Sequence, residues 1–249
     1  MDERIALLAD VHSNLEAFEA CLAHARERGA TQYAIIGDIV GYGADPAAVV
    51  DRVIALRAAG AVVVKGNHDE AVAGSTSYFA DAARDAIDWT RGRLDAGQRA
   101  FLDALPLFEQ RGAAFFVHAS AHTPQKWPYI DGSEAARRCF EAAPAATWTF
   151  AGHTHTARLY AHLGAGRPST FTPVTGSVIP VGRHRRWLGV VGSTGQARDG
   201  NPSAAYAMFD AKAETLVFHR IAYDHERTAA KIRAASLPAV LAWRIESGA

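Results

Sequence analysis

Five short strand-like runs in the first 150 residues are each followed within three positions by a carboxylate, amide or imidazole side chain, and helical patterns fill most of the gaps between them. The runs cover residues 5–9, 33–36, 61–64, 115–117 and 147–150. At three to five residues they are too short for helices, and they read as strands buried on both faces. Between the first two, Leu15, Phe18, Cys21, Leu22 and Ala25 recur at helical spacing, with Asn14 as N-cap and Gly29 just past the end. Asp45-Pro46 predicts a second helix start, a capping side chain followed by proline at the first helical position. That helix carries Val49, Val50, Val53 and Ile54, and Gly60 ends it.

Residues 80–105 read as two helical pieces, the second capped by Asp95 and followed by Pro106, and Ser133 is expected to cap a helix running to about Glu141. Beyond residue 150 the texture becomes β-rich, with segments around Leu159, Phe171, Leu188, Tyr206 and Leu216, and two helices starting near Asp224 and Pro238 close the chain. There is no repeat, low-complexity tract or Pro/Ser-rich linker. A single α/β domain over residues 1–249 with two packed sheets is therefore expected.

Composition narrows the partners. Lys plus Arg total 26 and Asp plus Glu total 26, so no basic excess points to nucleic acid or an acidic membrane. The one basic run, Arg183-His184-Arg185-Arg186, reads as a solvated loop. Two distant cysteines, Cys21 and Cys139, suggest neither a disulfide framework nor a zinc knuckle. Met1-Asp2-Glu3-Arg4 has no leader pattern, and no apolar run is long enough to span a bilayer. A reducing cytoplasm is the expected setting.

The strand ends carry the chemistry. Asp10-Val11-His12, Gly37-Asp38, Gly66-Asn67-His68-Asp69, His118 and Gly152-His153-Thr154-His155 each follow one predicted strand. Ligands in open α/β sheets gather at the carboxyl ends of strands, so segments spread over 146 positions can converge. Asp10 and His12 stand two apart, as do His153 and His155. In extended chain such pairs point to one side. Gly37, Gly66 and Gly152 would allow sharp turns or close approach. Imidazole and carboxylate without thiolate suit zinc, manganese or iron. Two divalent ions, two carboxylates and one hydroxide leave a net charge of about +1, which favours a phosphoryl anion. Taken singly each segment has an ordinary structural reading, such as a turn or a hydrogen-bonded histidine; the joint pattern does not.

The ordered set D-x-H, G-D, G-N-H-D, H, G-H-x-H resembles the calcineurin-like metallophosphoesterase superfamily across residues 10–155. The stretch Gly192 to Gly200 resembles a bacterial branch of predicted phosphodiesterases that usually reads G-S-V-G-Q-P-R-D, and Tyr223-Asp224 and Leu237-Pro238 resemble its C-terminal helices. Ala119 stands where glycine is frequent and Ala197 where proline is usual. The resemblance implies a four-layer α-β-β-α sandwich with two packed mixed sheets. It implies two divalent metals (manganese, iron, zinc or nickel), one held by Asp10, His12, Asp38 and His155, the other by Asp38, Asn67, His118 and His153. His68 would protonate or stabilise the leaving oxygen, with Asp69 orienting it, after in-line attack of a metal-bridging hydroxide.

Arg198 and Tyr42 are candidate substrate contacts. For Arg198 the alternative is a salt bridge with Asp199 or a sheet edge, and for Tyr42 it is packing. Trp127 and Tyr129 could wall the site or pack a loop. His24 reads as a surface residue of a helix, His122 as a surface-loop residue within reach of the site's mouth, and His162, His184, His219 and His225 have no motif context. The expected activity is hydrolysis of a small, nucleotide-like phosphodiester or phosphomonoester. Protein phosphatase and dinucleoside polyphosphate hydrolase activity are alternatives within the class. A non-catalytic scaffold, as in a retromer subunit of the superfamily that lacks the catalytic histidine, is disfavoured by His68, and a nuclease by the neutral charge.

Overall fold

A computed structural model describes residues 4–77, 79–164 and 166–249. Met1 to Glu3, read above as lacking a leader, lie outside the described residues. The strands are β1 (Arg4–Leu8), β2 (Gln32–Ile36), β3 (Val62–Val64), β4 (Phe108–Arg111), β5 (Ala114–Val117), β6 (Trp148–Ala151), β7 (Arg158–His162), β8 (Ser169–Phe171), β9 (Ile179–Pro180), β10 (Arg186–Val190), β11 (Ala204–Asp210) and β12 (Thr215–Ile221). The helices are α1 (Leu15–Glu27), α2 (Pro46–Ala58), α3 (Asn67–Ala73), α4 (Asp81–Arg91), α5 (Ala96–Asp103), α6 (Ser133–Ala142), α7 (His225–Ala234) and α8 (Ala239–Ser247), with a 3-10 turn at Pro124–Lys126.

They form two mixed six-stranded sheets, ordered β3-β2-β1-β11-β12-β9 and β4-β5-β6-β10-β7-β8. In the first, β1, β2 and β3 run parallel, with Leu8 beside Ile35 and Ile36 beside Val64. In the second, β5, β6 and β10 run parallel, with Phe116 beside Phe150 and Val190 beside Ala151. Alternation along each strand sorts side chains between layers. Leu7, Ala34, Ile36 and Val62 meet Phe116, Phe150 and Leu159 between the sheets. Leu8, Ile35 and Val63 pack on Phe18, Leu22 and Val53 of the flanking helices. On the far side Val117 and Leu188 pack on Phe140 of α6. This is the expected α-β-β-α sandwich. The parallel cores place the loops after β1, β2, β3, β5 and β6 at one edge.

Several local expectations need correction. Asp45 makes no capping hydrogen bond; its carboxylate takes Lys231 at 2.8 Å instead, so Pro46 alone marks the start of α2. Ser133 is the first helical residue rather than the cap, and its hydroxyl meets Thr170. Arg186 is not in a solvated loop: it opens β10 and its guanidinium binds the carbonyls of Phe140, Ala143 and Ala146. The polar strand β4, the two-residue β9 and the seven-residue α3 carried no apolar run or helical period to announce them. Asn14 and Asp95 cap as expected, accepting from Ala17 and Gln98.

Candidate metal centre

Beyond the strands the backbone does not run extended. Asp10, His12, Asp38, His153 and His155 all have left-handed φ, at 53°, 49°, 50°, 68° and 58°. The expected same-side placement of i and i+2 in extended chain is thus replaced by pairs of left-handed turns. Such geometry costs a non-glycine residue roughly 1–3 kcal/mol and persists where the surroundings over-determine it. Here they do. Asp10 N donates to Gly37 O at 3.1 Å and His12 N to Asp38 O at 2.9 Å, so the first two loops run hydrogen-bonded past the sheet. Gly152 N donates to His118 O at 2.8 Å, tying the fourth loop to the fifth. At Gly152 a Cβ would stand 2.7 Å from Asp10 Oδ2, and at Gly66 it would collide with Asp38, so those loops close only on glycine. Ala119 lies outside the left-handed region, so its position does not demand the glycine frequent in the family.

The turns bring two groups of ligand atoms together, each within 4.8 Å: Asp10, His12, Asp38 and His155, and Asp38, His118 and His153. All are buried. His118 Nε2 lies 3.3 Å from Asp38 Oδ2, and 3.2 Å from both Asn67 Oδ1 and His153 Nδ1.

The outer nitrogens fix the tautomers. His12 Nδ1 meets Val40 O at 3.1 Å, His118 Nδ1 meets Ile36 O at 2.9 Å and His155 Nδ1 meets Gln196 O at 2.5 Å. A carbonyl only accepts, so each Nδ1 carries a proton and each neutral ring turns an Nε2 lone pair inward. Burial, only partly offset in His12 by Asp38, holds His12 and His155 well below the usual imidazole range. Two lone pairs therefore face each other across 3.1 Å, which is repulsive unless a cation binds both. Imidazole nitrogens each about 2.0–2.1 Å from one ion stand roughly 2.9–3.4 Å apart, so the separation fits shared coordination.

Without a cation, protons occupy the site. Burial, reinforced by Asp38, pushes Asp10 up to about 8. Burial would raise Asp38 too, but His118, His68 and His12 hold it well below the usual carboxylate range. Burial would lower His118, yet Asp38 and Asp10 raise it to about 9.

His68 and Asp69 part company. His68 is brought onto the cleft floor, its backbone N–H bound to Asp38 Oδ1 at 2.9 Å. Its ring lies edge-on to Tyr42 and Phe79. Its Nδ1 is buried against Gly41 without a hydrogen bond. Burial lowers it to about 4. Asp69 does not orient it. Both Asp69 oxygens are taken by backbone N–H groups, those of Ile39, Val40 and Gly66 at 2.9, 3.2 and 2.9 Å. Asp69 fastens the Asp38 loop to the start of α3, a structural role in place of the expected catalytic one.

Over the two groups lies a cleft of about 420 Å³ lined by Tyr42, Asn67, His68, His153, His155 and Arg198 among others. Arg198 sits there with its guanidinium 3.3 Å from the Tyr42 hydroxyl; Asp199 pairs with Arg220 instead. Tyr129 is a half-exposed wall stacked on His153, whereas Trp127 is buried and donates to Glu70. His122 is exposed and outside the cleft lining, and His24 is part-buried against the Tyr206 hydroxyl. Sequence reasoning missed the brackets: Gly195 N and Ser193 Oγ both bind Asp10 O, at 2.9 and 3.0 Å, and Gln196 O holds His155. It also missed Lys126, Phe79 and Arg244 in the cleft wall.

The sequence pattern of calcineurin-like phosphoesterases matches residues 3–157. The chain belongs to this family. It is 32% identical over 257 residues to an uncharacterized protein of Methanocaldococcus jannaschii, covering 98% of each chain. Its fold matches a crystal structure of a metallophosphoesterase from Sphaerobacter thermophilus at 37% identity and TM-score 0.86, over 99% of both chains. A hypothetical protein from Pyrococcus horikoshii OT3 shares the fold at 19% identity and TM-score 0.78, over 99% of this chain and 98% of that one. The two candidate metal groups, set in this fold, are consistent with phosphoester hydrolysis in general.

Proposed function

We propose that the protein is a dinuclear-metal hydrolase of small, nucleotide-like phosphoesters. The observation that carries the reading is the pair of ligand groups joined at Asp38 beneath a cleft that also holds His68 and Arg198. Asp10, His12, Asp38 and His155 would hold one ion, and Asp38, Asn67, His118 and His153 the other. Bound divalent cations would offset phosphoryl charge and activate water at neutral pH. The chain's own residues supply the rest. Arg198 forks onto a phosphoryl oxygen, with Tyr42 steadying it through the 3.3 Å contact. His68 would stabilise the departing ester oxygen by a hydrogen bond from its ring N–H. Phe79 and Tyr129 offer apolar surface to an aryl group or base.

The test is direct. Protein carrying two manganese ions is assayed on aryl phosphomonoesters and phosphodiesters, and turnover of either is expected. Full metal loading with no hydrolysis of either ester overturns the reading. His68→Ala is expected to lower kcat about 10²–10⁴-fold with metal content unchanged. An unchanged rate removes His68 from the chemistry.

A further inference from the structure

The cleft carries more positive charge than one phosphoryl group requires. Besides Arg198, Lys126 from the 3-10 turn and Arg244 from α8 line it, and among the described residues Asp38, already committed to both ligand groups, is the one carboxylate in the lining. Among the described residues, the side chains of Lys126 and Arg244 have no hydrogen-bond or ion-pair partner. Their neighbours in sequence are engaged elsewhere. Glu246, two residues past Arg244, holds Arg233 at 2.6 Å, and Glu70 accepts from Trp127 Nε1 at 3.1 Å, next to Lys126. Other cations of this chain do find carboxylates, as Arg4 does on Asp210 and Arg183 on Glu214.

The backbone under Arg244 is fixed. Leu241, Ala242 and Ile245 of α8 pack into one buried cluster with Tyr42 and Ala83. The arginine therefore stands on a rigid wall, close enough for its charge to be felt at the Tyr42 hydroxyl. Unpaired cations on the walls of a cleft focus anions into it, and a guanidinium pairs with phosphate through two parallel hydrogen bonds.

We propose that Arg244 and Lys126 select phosphoesters that carry a second phosphate beyond the scissile one, as nucleoside polyphosphates do. This deepens the proposed function and rests on it: Arg198 serves the reacting phosphoryl group, while Lys126 and Arg244 hold the second.

Two measurements on manganese-loaded protein test it. The first compares kcat/KM for a nucleoside diphosphate with that for an aryl phosphomonoester, in wild type, Arg244→Gln, Arg244→Lys and the double variant Arg244→Gln/Lys126→Gln. The second compares calorimetric binding of α,β-methylene-ADP and AMP to the same proteins. The wild type is expected to prefer the second-phosphate ligand by at least about tenfold in both. The preference should fall about tenfold in Arg244→Gln and further in the double variant, and be partly kept in Arg244→Lys. Equal losses for both ligands mean a structural role and overturn the inference, as does a ratio that does not move. Hydrolysis of aryl esters without any preference leaves the proposed function standing and sinks the inference alone. Absent hydrolysis with the binding preference intact, and lost in the variants, does the reverse.

Discussion

The two ligand groups share Asp38 yet are anchored differently. In the first, His12 and His155 each give their outer nitrogen to a backbone carbonyl, and the four residues are at most 3% exposed. The 193–196 loop closes over it from the second half of the chain, binding the Asp10 carbonyl twice. In the second, His118 is equally well held, but His153 presents Nδ1 and its Nε2 lacks a well-formed partner, with the Trp127 backbone beside it. Asn67 and His153 are 6% and 7% exposed, at the cleft, and Tyr129 covers His153 by stacking alone. One group is tied to backbone at both of its histidines; the other is tied at one and is the more exposed to the cleft. A tied outer nitrogen raises the basicity of its ring and fixes its aim, so the first group should bind its ion more tightly.

The harshest way to break the contrast is to remove what both groups share. Asp38→Ala should abolish the binding of both ions and lower kcat by about 10³-fold or more, since several kcal/mol of transition-state stabilisation is lost at 1.36 kcal/mol per decade. Metal analysis of the purified variant and its turnover on an aryl ester check this. Retention of one tightly bound ion would mean that the groups do not depend on a common carboxylate.

His155→Ala and His153→Ala sharpen the contrast from either side. Each should weaken one ion and spare the other, with losses on the order of 10–100-fold in affinity or more, since even outer partners of ligands are worth that much. Competition with a chelator should show the tight ion lost in His155→Ala and the weak ion in His153→Ala. Loss of the same ion in both merges the two groups into one.

The protons that stand in for metal give a pH signature. His118 is raised to about 9 and Asp10 to about 8, so above the unfolded values of these groups the folded metal-free protein holds more protons than the unfolded chain. Their contribution to stability is full below the unfolded pKa and is lost as pH rises through the folded one. The Tm of metal-free protein should therefore fall between about pH 7 and 9. Metal must expel those protons, so its affinity should climb over the same interval, and the metal-induced rise in Tm should grow with it. Parallel thermal melts with and without manganese test both trends; a flat metal-free Tm across the interval removes the proton-sharing picture.

What the sequence disclosed divides along the same line. The ligand types and their order lie in short motifs after apolar runs, and those runs were legible because a strand buried on both faces must be apolar throughout. Asp10, Asp38 and His118 could be placed at the carboxyl ends of strands on that ground alone. Their precise aim could not. It depends on left-handed φ at His12 and His155, which no adjacent glycine signals, and on carbonyls of Val40, Ile36 and Gln196, which every residue type possesses. Asp69 misled because it is adjacent to His68 in sequence, while helix α3 turns its carboxylate back onto the Asp38 loop. Arg244 was invisible for a different reason. Its interest comes from lining the cleft without a partner among the described residues, which only the packing of α8 beside Tyr42 reveals.

The smallest expected effect falls on the open side of the comparison. Tyr129 is 55% exposed and its ring lies 4.1 Å from that of His153 at an interplanar angle of 21°. Aromatic pairs contribute about 0.5–1.5 kcal/mol beyond burial, and a half-exposed pair belongs at the low end. Tyr129→Ala should thus weaken the second ion by roughly two- to threefold, a shift of about 0.5 kcal/mol. The first ion should not respond, because Tyr129 touches none of the rings that hold it. Chelator competition resolves a difference of that size when both ions are followed in one titration. A loss shared equally by the two would show that Tyr129 supports the cleft as a whole. A loss confined to the second would mean that His153, lacking the carbonyl that steadies the other three histidines, takes part of its orientation from an aromatic face at the cleft mouth.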